Sequence, residues 1–162
     1  MAYEFALMGT RRGEQRLVFN PFTGQSAMMT TPAMSDDERA AVRAVFARHG
    51  ATLDAGSGTI ALAGAAMRLE DLGGLRSVVI IEGLIEQAIG ILFEIATAGR
   101  LVVMNDHVKC DDPGPVVTTA EAQTQANASD PDGLVPELVT DLGTFLRVLL
   151  PGYDRLRAAN AS

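Results

Sequence analysis

The segment from Ser77 to Met104 constrains this chain more than any other. It opens with Ser-Val-Val-Ile-Ile, β-branched and almost wholly apolar, as suits a strand in the middle of a sheet. Over residues 83–98 the period changes to that of a helix. Ile85, Ile89, Leu92 and Ile95 cover one side, and Glu86, Gly90, Glu94 and Thr97 fall on the other. Gly99 ends the helix, and Leu101 to Met104 reads as a strand directly after it. Strand, helix and strand in such tight succession predict a βαβ crossover between parallel neighbours. The run is not a membrane span, because Glu82, Glu86 and Glu94 would place three carboxylates in hydrocarbon.

The flanking elements follow from local chemistry. Residues 3–8 and 16–20 read as strands joined by the polar turn Gly-Thr-Arg-Arg-Gly-Glu-Gln, which predicts a hairpin. Asn20-Pro21-Phe22-Thr23-Gly24 breaks the second strand, and residues 25–34 read as a Met- and Thr-rich connector. Ser35 to His49 is a helix. Ser35 and Glu38 form a capping box, Asp36 and Asp37 sit in the first turn, and Arg48 and His49 sit in the last. Ala41, Val42, Val45 and Phe46 form its apolar face, and Gly50 stops it.

Further strands are expected at Thr59–Ala63, Met67–Leu72 and Ser77–Ile81, with Gly73-Gly74 as a turn. Residues 111–133 carry few large apolar groups and predict a long loop with a short strand at Val116-Val117. Pro136 opens a last helix, to residue 150, with Val135, Leu138, Val139, Leu142, Phe145, Leu146 and Leu149 as its stripe. The predicted order is ββ-α-βββ-α-β-loop-α. That is an α+β fold, a mixed or antiparallel sheet with about three helices packed on it. At 162 residues the chain is expected to form one domain.

Charge narrows the range of functions. The net charge is −7, from 13 basic and 20 acidic residues. Residues 1–50 are net +1, 51–110 are −3 and 111–162 are −5. A sequence-independent nucleic-acid binder needs a basic footprint, and here the only basic cluster, Arg11-Arg12, has no aromatic platform beside it. No nucleic acid and no membrane are expected as partners. The single cysteine, Cys110, rules out an intramolecular disulfide and suits a reducing cytoplasm. The opening Met-Ala-Tyr-Glu-Phe-Ala-Leu-Met places its apolar run before its arginines, the reverse of a signal peptide. A cytoplasmic protein is expected. Twelve Arg against one Lys matches the codon bias of GC-rich bacteria.

The densest polar stretch is Asn105 to Asp112, after a strand. His107 and Cys110 are the components of a thiolate–imidazole pair, and with Asp106 and Asp112 they are metal-ligand types. The set is short of a zinc site's complement, and the neighbouring carboxylates raise a thiol's pKa rather than activate it. His49 is accounted for by its place at a helix C-terminus. Gly56-Ser57-Gly58 is followed by strand-like residues, not by a helix, so it is no dinucleotide fingerprint. No catalytic residue, metal site or cofactor is therefore expected.

Three stretches carry a likeness of pattern over residues 15–105. They are Asn20-Pro21-Phe22-Thr23-Gly24-Gln25, Ser35-Asp36-Asp37-Glu38-Arg39-Ala40-Ala41-Val42, and Leu92-Phe93-Glu94-Ile95-Ala96-Thr97-Ala98-Gly99-Arg100-Leu101-Val102-Val103. In these the chain resembles small cytoplasmic immunity-type proteins of bacterial, including myxobacterial, toxin–immunity loci. The resemblance implies a non-catalytic protein that binds and neutralises a toxin, and it assigns no residue a role. The charge distribution suggests an acidic surface for a basic protein partner, contributed by Glu86, Glu94, Asp106, Asp111 and Asp112. Phe22 and the Met28-Met29 pair are the apolar candidates for its centre, although Phe22 reads first as a core residue. Two alternatives stay open: a small enzyme or ligand-binding protein using residues 104–112, and an interaction domain with another kind of partner.

Overall fold

A computed structural model describes residues 2–74, 77–105, 114–129 and 135–150. They form an α+β fold, as expected, with nine strands and four helices among them. The strands are β1 (Ala2–Met8), β2 (Arg11–Asn20), β3 (Gln25–Ala33), β4 (Gly58–Ala61), β5 (Ala65–Glu70), β6 (Ser77–Gly83), β7 (Val102–Asn105), β8 (Val116–Val117) and β9 (Glu137–Leu138). The helices are α1 (Asp36–Arg48), α2 (Ile85–Gly99), α3 (Ala120–Ser129) and α4 (Leu142–Leu149). Seven strands form one sheet in the order β4-β5-β6-β1-β7-β8-β9, while β2 and β3 form a separate two-stranded ribbon. All pairs are antiparallel except β8 with β9.

The crossover between β6 and β7 differs from expectation in one respect. The two strands run parallel, but β1 lies between them, antiparallel to both, with Phe5 opposite Val79 on one side and Asn105 on the other. The predicted hairpin of 3–8 with 16–20 is likewise corrected. β1 pairs only inside the large sheet, and β2 pairs with β3, the stretch expected to be a connector. Asn20 to Gln25 is thus the turn of a hairpin rather than the end of one.

Period-two alternation aims one row of side chains at the core. Ile60, Met67, Leu69, Val79, Ile81, Phe5, Leu7, Val103 and Val116 lie side by side across the registered strands, all buried. Over them pack Val42, Val45 and Phe46 of α1, Ile85, Ile89, Leu92 and Ile95 of α2, and Phe145 and Leu149 of α4, in one hydrophobic cluster. A smaller cluster joins Val102, Val117 and Ala122, bringing α3 against the β7–β8 end of the sheet.

The helix boundaries test the local chemistry. Ser35 Oγ accepts from the Glu38 backbone N–H at 3.1 Å, so the Ser35 cap forms. The reciprocal half of the box does not: the Glu38 side chain turns inward and is buried, 3.9 Å from the Arg11 guanidinium. Gly50 takes the left-handed conformation that ends α1. Gly99 has a different role from the one expected. The left-handed residue after α2 is Arg100, and Gly99 is kept small by packing, because a Cβ there would lie 3.0 Å from Leu101 Cγ and 3.1 Å from Val42 Cγ2.

The expected 111–133 loop contains α3, and the predicted 136–150 helix begins only at residue 142, behind an Asp141 cap that accepts from the Thr144 N–H at 2.9 Å. Residues 137–138 instead pair with β8, and Gln123 of α3 donates to the Pro136 carbonyl at 3.0 Å.

Candidate protein-docking surface

Among the described residues, the ribbon of β2 and β3 carries five of the eight exposed large apolar side chains. Its turn is built by Asn20, whose Oδ1 accepts from the Phe22 N–H at 2.9 Å and whose carbonyl accepts from the Gly24 N–H at 2.9 Å. Gly24 sits at φ +68, where an L side chain is strained. This local turn holds Phe22 at the tip, 97% exposed, and overturns the expectation that it enters the core. All residues from 17 to 28 are exposed, so solvent meets both faces of the outer ribbon.

Register sorts those side chains into two faces. Leu17 lies opposite Met28 and Phe19 opposite Ser26, which puts Leu17, Phe19 and Met28 on one face. They are 68%, 60% and 60% exposed. Val18 and Ala27 pair on the other face, beside Asn20 and Gln25. No charged residue occurs from Leu17 to Ser35, while Arg11, Arg12 and Arg16 against Glu14 make the base of the ribbon net +2. The base is fastened to the body by Thr10 Oγ1 donating to Gln125 Oε1 of α3 at 2.6 Å, and by close approach of Gly9 to the Ala33 backbone. A cluster of apolar side chains on a projecting element, bordered by polar ones, is the usual form of a protein-binding patch.

The acidic residues singled out in the sequence are not brought together as a free surface among the described residues. Glu82 lies near the end of β6, and Glu86 lies in the first turn of α2, exposed. Glu94 bridges two helices. Its Oε1 accepts from Arg48 Nε at 3.0 Å and Nη2 at 2.6 Å, and its Oε2 lies 3.0 Å from His49 Nε2. The His49 hydrogen bond, and then that of Arg48, hold the Glu94 carboxyl below its usual pKa. Asp106, Asp111 and Asp112, and with them His107 and Cys110, lie outside the described residues.

The sign of the Glu94 contribution follows from linkage. A carboxyl depressed in the folded state adds stability above the ordinary carboxylate range, and that stability is lost as pH falls through the depressed value. Glu94→Gln is therefore expected to cost about 0.5–1 kcal/mol near neutral pH, the range of a partly exposed ion pair. The difference from wild type should shrink towards zero in denaturant titrations at progressively lower pH.

Other features offer less. A shallow, open depression beside β4 and β5 is lined by Ser57, Thr59, Arg68, Glu70 and Asp71, with Arg68 paired to Glu70 at 3.0 Å, and it lacks a nucleophile–base pair. Among the described residues no group of three or more His, Cys, Asp or Glu is placed to hold a metal ion, and no helix is long and apolar enough to cross a membrane. No protein-family model, no curated protein and no solved structure matches the chain.

Two features of the sequence conceal the ribbon: residues 25–34 lack the apolar–polar alternation of a half-buried strand, and the Pro-containing turn has the composition of a strand terminator. One signal was available: 19 consecutive uncharged residues, 17–35, in a chain with 20% charged residues.

Proposed function

We propose that this is a non-catalytic protein that binds and neutralises a partner protein, gripping it with the outer β2–β3 ribbon. The observation that carries the reading is Phe22 at the ribbon tip, 97% exposed, with Leu17, Phe19 and Met28 exposed behind it. Aromatic and large apolar side chains that fill a partner's pockets supply most of the affinity at an interface, while peripheral charges chiefly tune encounter rates. The outer edges of β2 and β3, which pair with no other strand among the described residues, also let a partner's strand extend the ribbon by main-chain hydrogen bonds. The resemblance to immunity-type proteins suggests a toxin as that partner, acting in the cytoplasm. The acidic residues 86, 94, 106, 111 and 112 are secondary in this reading, since Glu94 already spends both oxygens on Arg48 and His49.

The product of a neighbouring gene is the first partner to test, in a binding assay and in protection of a host cell that expresses it. Phe19→Ser with Phe22→Ser is expected to weaken binding at least tenfold and abolish protection, with the far-UV spectrum unchanged. A bound partner indifferent to both substitutions would remove the ribbon from the reading. A Glu86→Gln, Glu94→Gln variant, apart from the stability loss expected of Glu94→Gln, is expected to change the salt dependence of association and to leave the affinity within a few-fold.

A further inference from the structure

We infer that the outer face of the large sheet, beyond α3, is a second docking surface, and that its occupant is a basic amphipathic helix of a partner protein. α1, α2 and α4 pack in the cluster on the inner face of the sheet. Among the described residues, the outer face joins a hydrophobic cluster only at one end, where Ala122 and Ala126 of α3 pack with Met8, Val102, Val117 and Leu138. Beyond that end, alternation puts Ala2, Ala6, Val78, Ile80 and Met104 on the same outer side. None of these five belongs to either cluster. The water-facing side of an antiparallel sheet ordinarily reads as polar residues. Here a row of Met104, Ala6 and Val78 crosses three adjacent strands, with Ile80 beside it, only partly buried.

Charge and shape select the occupant. On this face Glu4 lies opposite Ile80, and Glu82 lies opposite Ala2. Neither carboxylate is in an ion pair among the described residues, whereas Glu70, opposite Val78, is paired with Arg68 at 3.0 Å. Glu4, Arg68, Glu70 and Glu82 sum to −2, so the face attracts lysine and arginine side chains and repels both its own copy and anionic headgroups. A strand or loop laid on a sheet face leaves its own backbone groups unpaired, while a helix satisfies them internally. Ala2, Ala6, Ala61 and Ala66 keep this side of the sheet low, so a helix can approach closely. The fitting ligand is therefore a helix with one apolar stripe flanked by basic residues.

Size sets the strength. From β5 through β6 and β1 to β7 the strand spacings add to roughly 14 Å, and residues 2 to 6 rise about 14 Å along β1. One helix, about 10–12 Å across, covers such a patch with two to three turns. That is well below the ~800 Å² per partner of a standard interface, so docking here alone is weak and rapidly reversible. The face is separate from the ribbon, and a partner that engages both is held more tightly than either contact alone allows.

Chemical-shift mapping on the isotope-labelled full chain tests this. The probe is a synthetic Leu/Lys peptide of helical apolar period, about four turns long, and its Leu/Glu counterpart is the control. The Leu/Lys peptide is expected to shift the amides of residues 2–6, 66–70 and 78–82, and the Leu/Glu peptide to leave them unchanged. Glu4→Gln with Glu82→Gln should weaken the Leu/Lys peptide about fivefold at low salt, and less at high salt. Ile80→Lys, which puts a like charge at the centre, should weaken it at least tenfold. Ala66→Lys, on the same face, makes the same test should Ile80→Lys disturb the sheet. Phe19→Ser with Phe22→Ser should leave peptide binding unchanged, so failure here is distinguishable from failure of the ribbon. A Leu/Lys peptide that shifts nothing, shifts only residues 17–28, or binds the glutamine and lysine variants as tightly as wild type overturns the inference. Equal binding of the two peptides overturns it as well. So does self-association or sedimentation with anionic vesicles that Ile80→Lys or Ala66→Lys changes, since the face would then belong to a second copy or to a membrane.

Discussion

Phe145→Ala is expected to lower the unfolding free energy by about 3–5 kcal/mol, the range for truncating a buried aromatic ring. Phe145 is fully buried at the middle of α4, and its ring meets Phe93 of α2 edge-to-face, with centroids 5.2 Å apart and planes at 82°. α4 is only eight residues long, too short to be stable by itself, so its helicity depends on this contact. Its far end is tied by Asn105 Nδ2, which donates to the Leu149 carbonyl at 2.7 Å in a buried setting. Loss of the ring leaves a cavity between α2, α4 and the sheet and loosens that tie as well. Chemical denaturation of wild type and variant measures the difference. Phe93→Leu, which removes the edge-to-face pairing and keeps most of the apolar area, should lose only about 0.5–1.5 kcal/mol. Equal losses for the two would show that α4 is not held through Phe145.

The second large effect is expected at Gly9, between β1 and β2. A Cβ built there would lie 1.8 Å from the Ala33 carbonyl oxygen, 2.3 Å from its carbon and 2.9 Å from the Met34 nitrogen. These are backbone atoms, so no side-chain rotation relieves the collision. The strand ends must separate, which unseats the base of the ribbon. Gly9→Ala is expected to cost about 3 kcal/mol, the upper end for overpacking. Gly24→Ala provides the contrast. It has open space around it and only a positive φ to accommodate, so it should cost about 1–2 kcal/mol. Thermal and denaturant unfolding of the two variants distinguishes collision from conformational strain. Similar small losses in both would mean that the β1–β3 approach is looser than the geometry indicates.

The parts of the fold legible in the sequence are those whose chemistry is local. α1 is legible because Ser35 and the acidic first turn at one end, and Gly50 at the other, each act within a few residues of a helix terminus. The periods of β6, α2 and β7 were equally plain, yet the place of β1 between β6 and β7 was not. Nothing in Tyr-Glu-Phe-Ala-Leu-Met says that Phe5 will face both Val79 and Asn105. α3 was invisible for the opposite reason: Ala-Glu-Ala-Gln-Thr-Gln-Ala-Asn-Ala-Ser buries only Ala122 and has no apolar stripe to read. The stripe from Val135 to Leu149 ran across a strand and a helix alike, and only the pairing of β9 with β8 divides it. In the candidate site, the sequence favours an inward place for Phe22, since composition does not show that its turn points away from the body.

The central position of β1 also sets an order of events during synthesis. β1 leaves the ribosome before every other described strand, but its two partners, β6 and β7, follow only after residues 77 and 102. Until then Phe5 and Leu7 have no sheet to join. The ribbon is different, because its strands are separated by a four-residue turn and can pair within microseconds of emerging. The nascent chain thus samples an apolar hairpin, marginally stable by itself, ahead of an unclosed sheet. The pairings of β1 with β6 and β7 are of long sequence separation, which slows folding, and the interval before β7 appears is when a chaperone has the most apolar surface to hold.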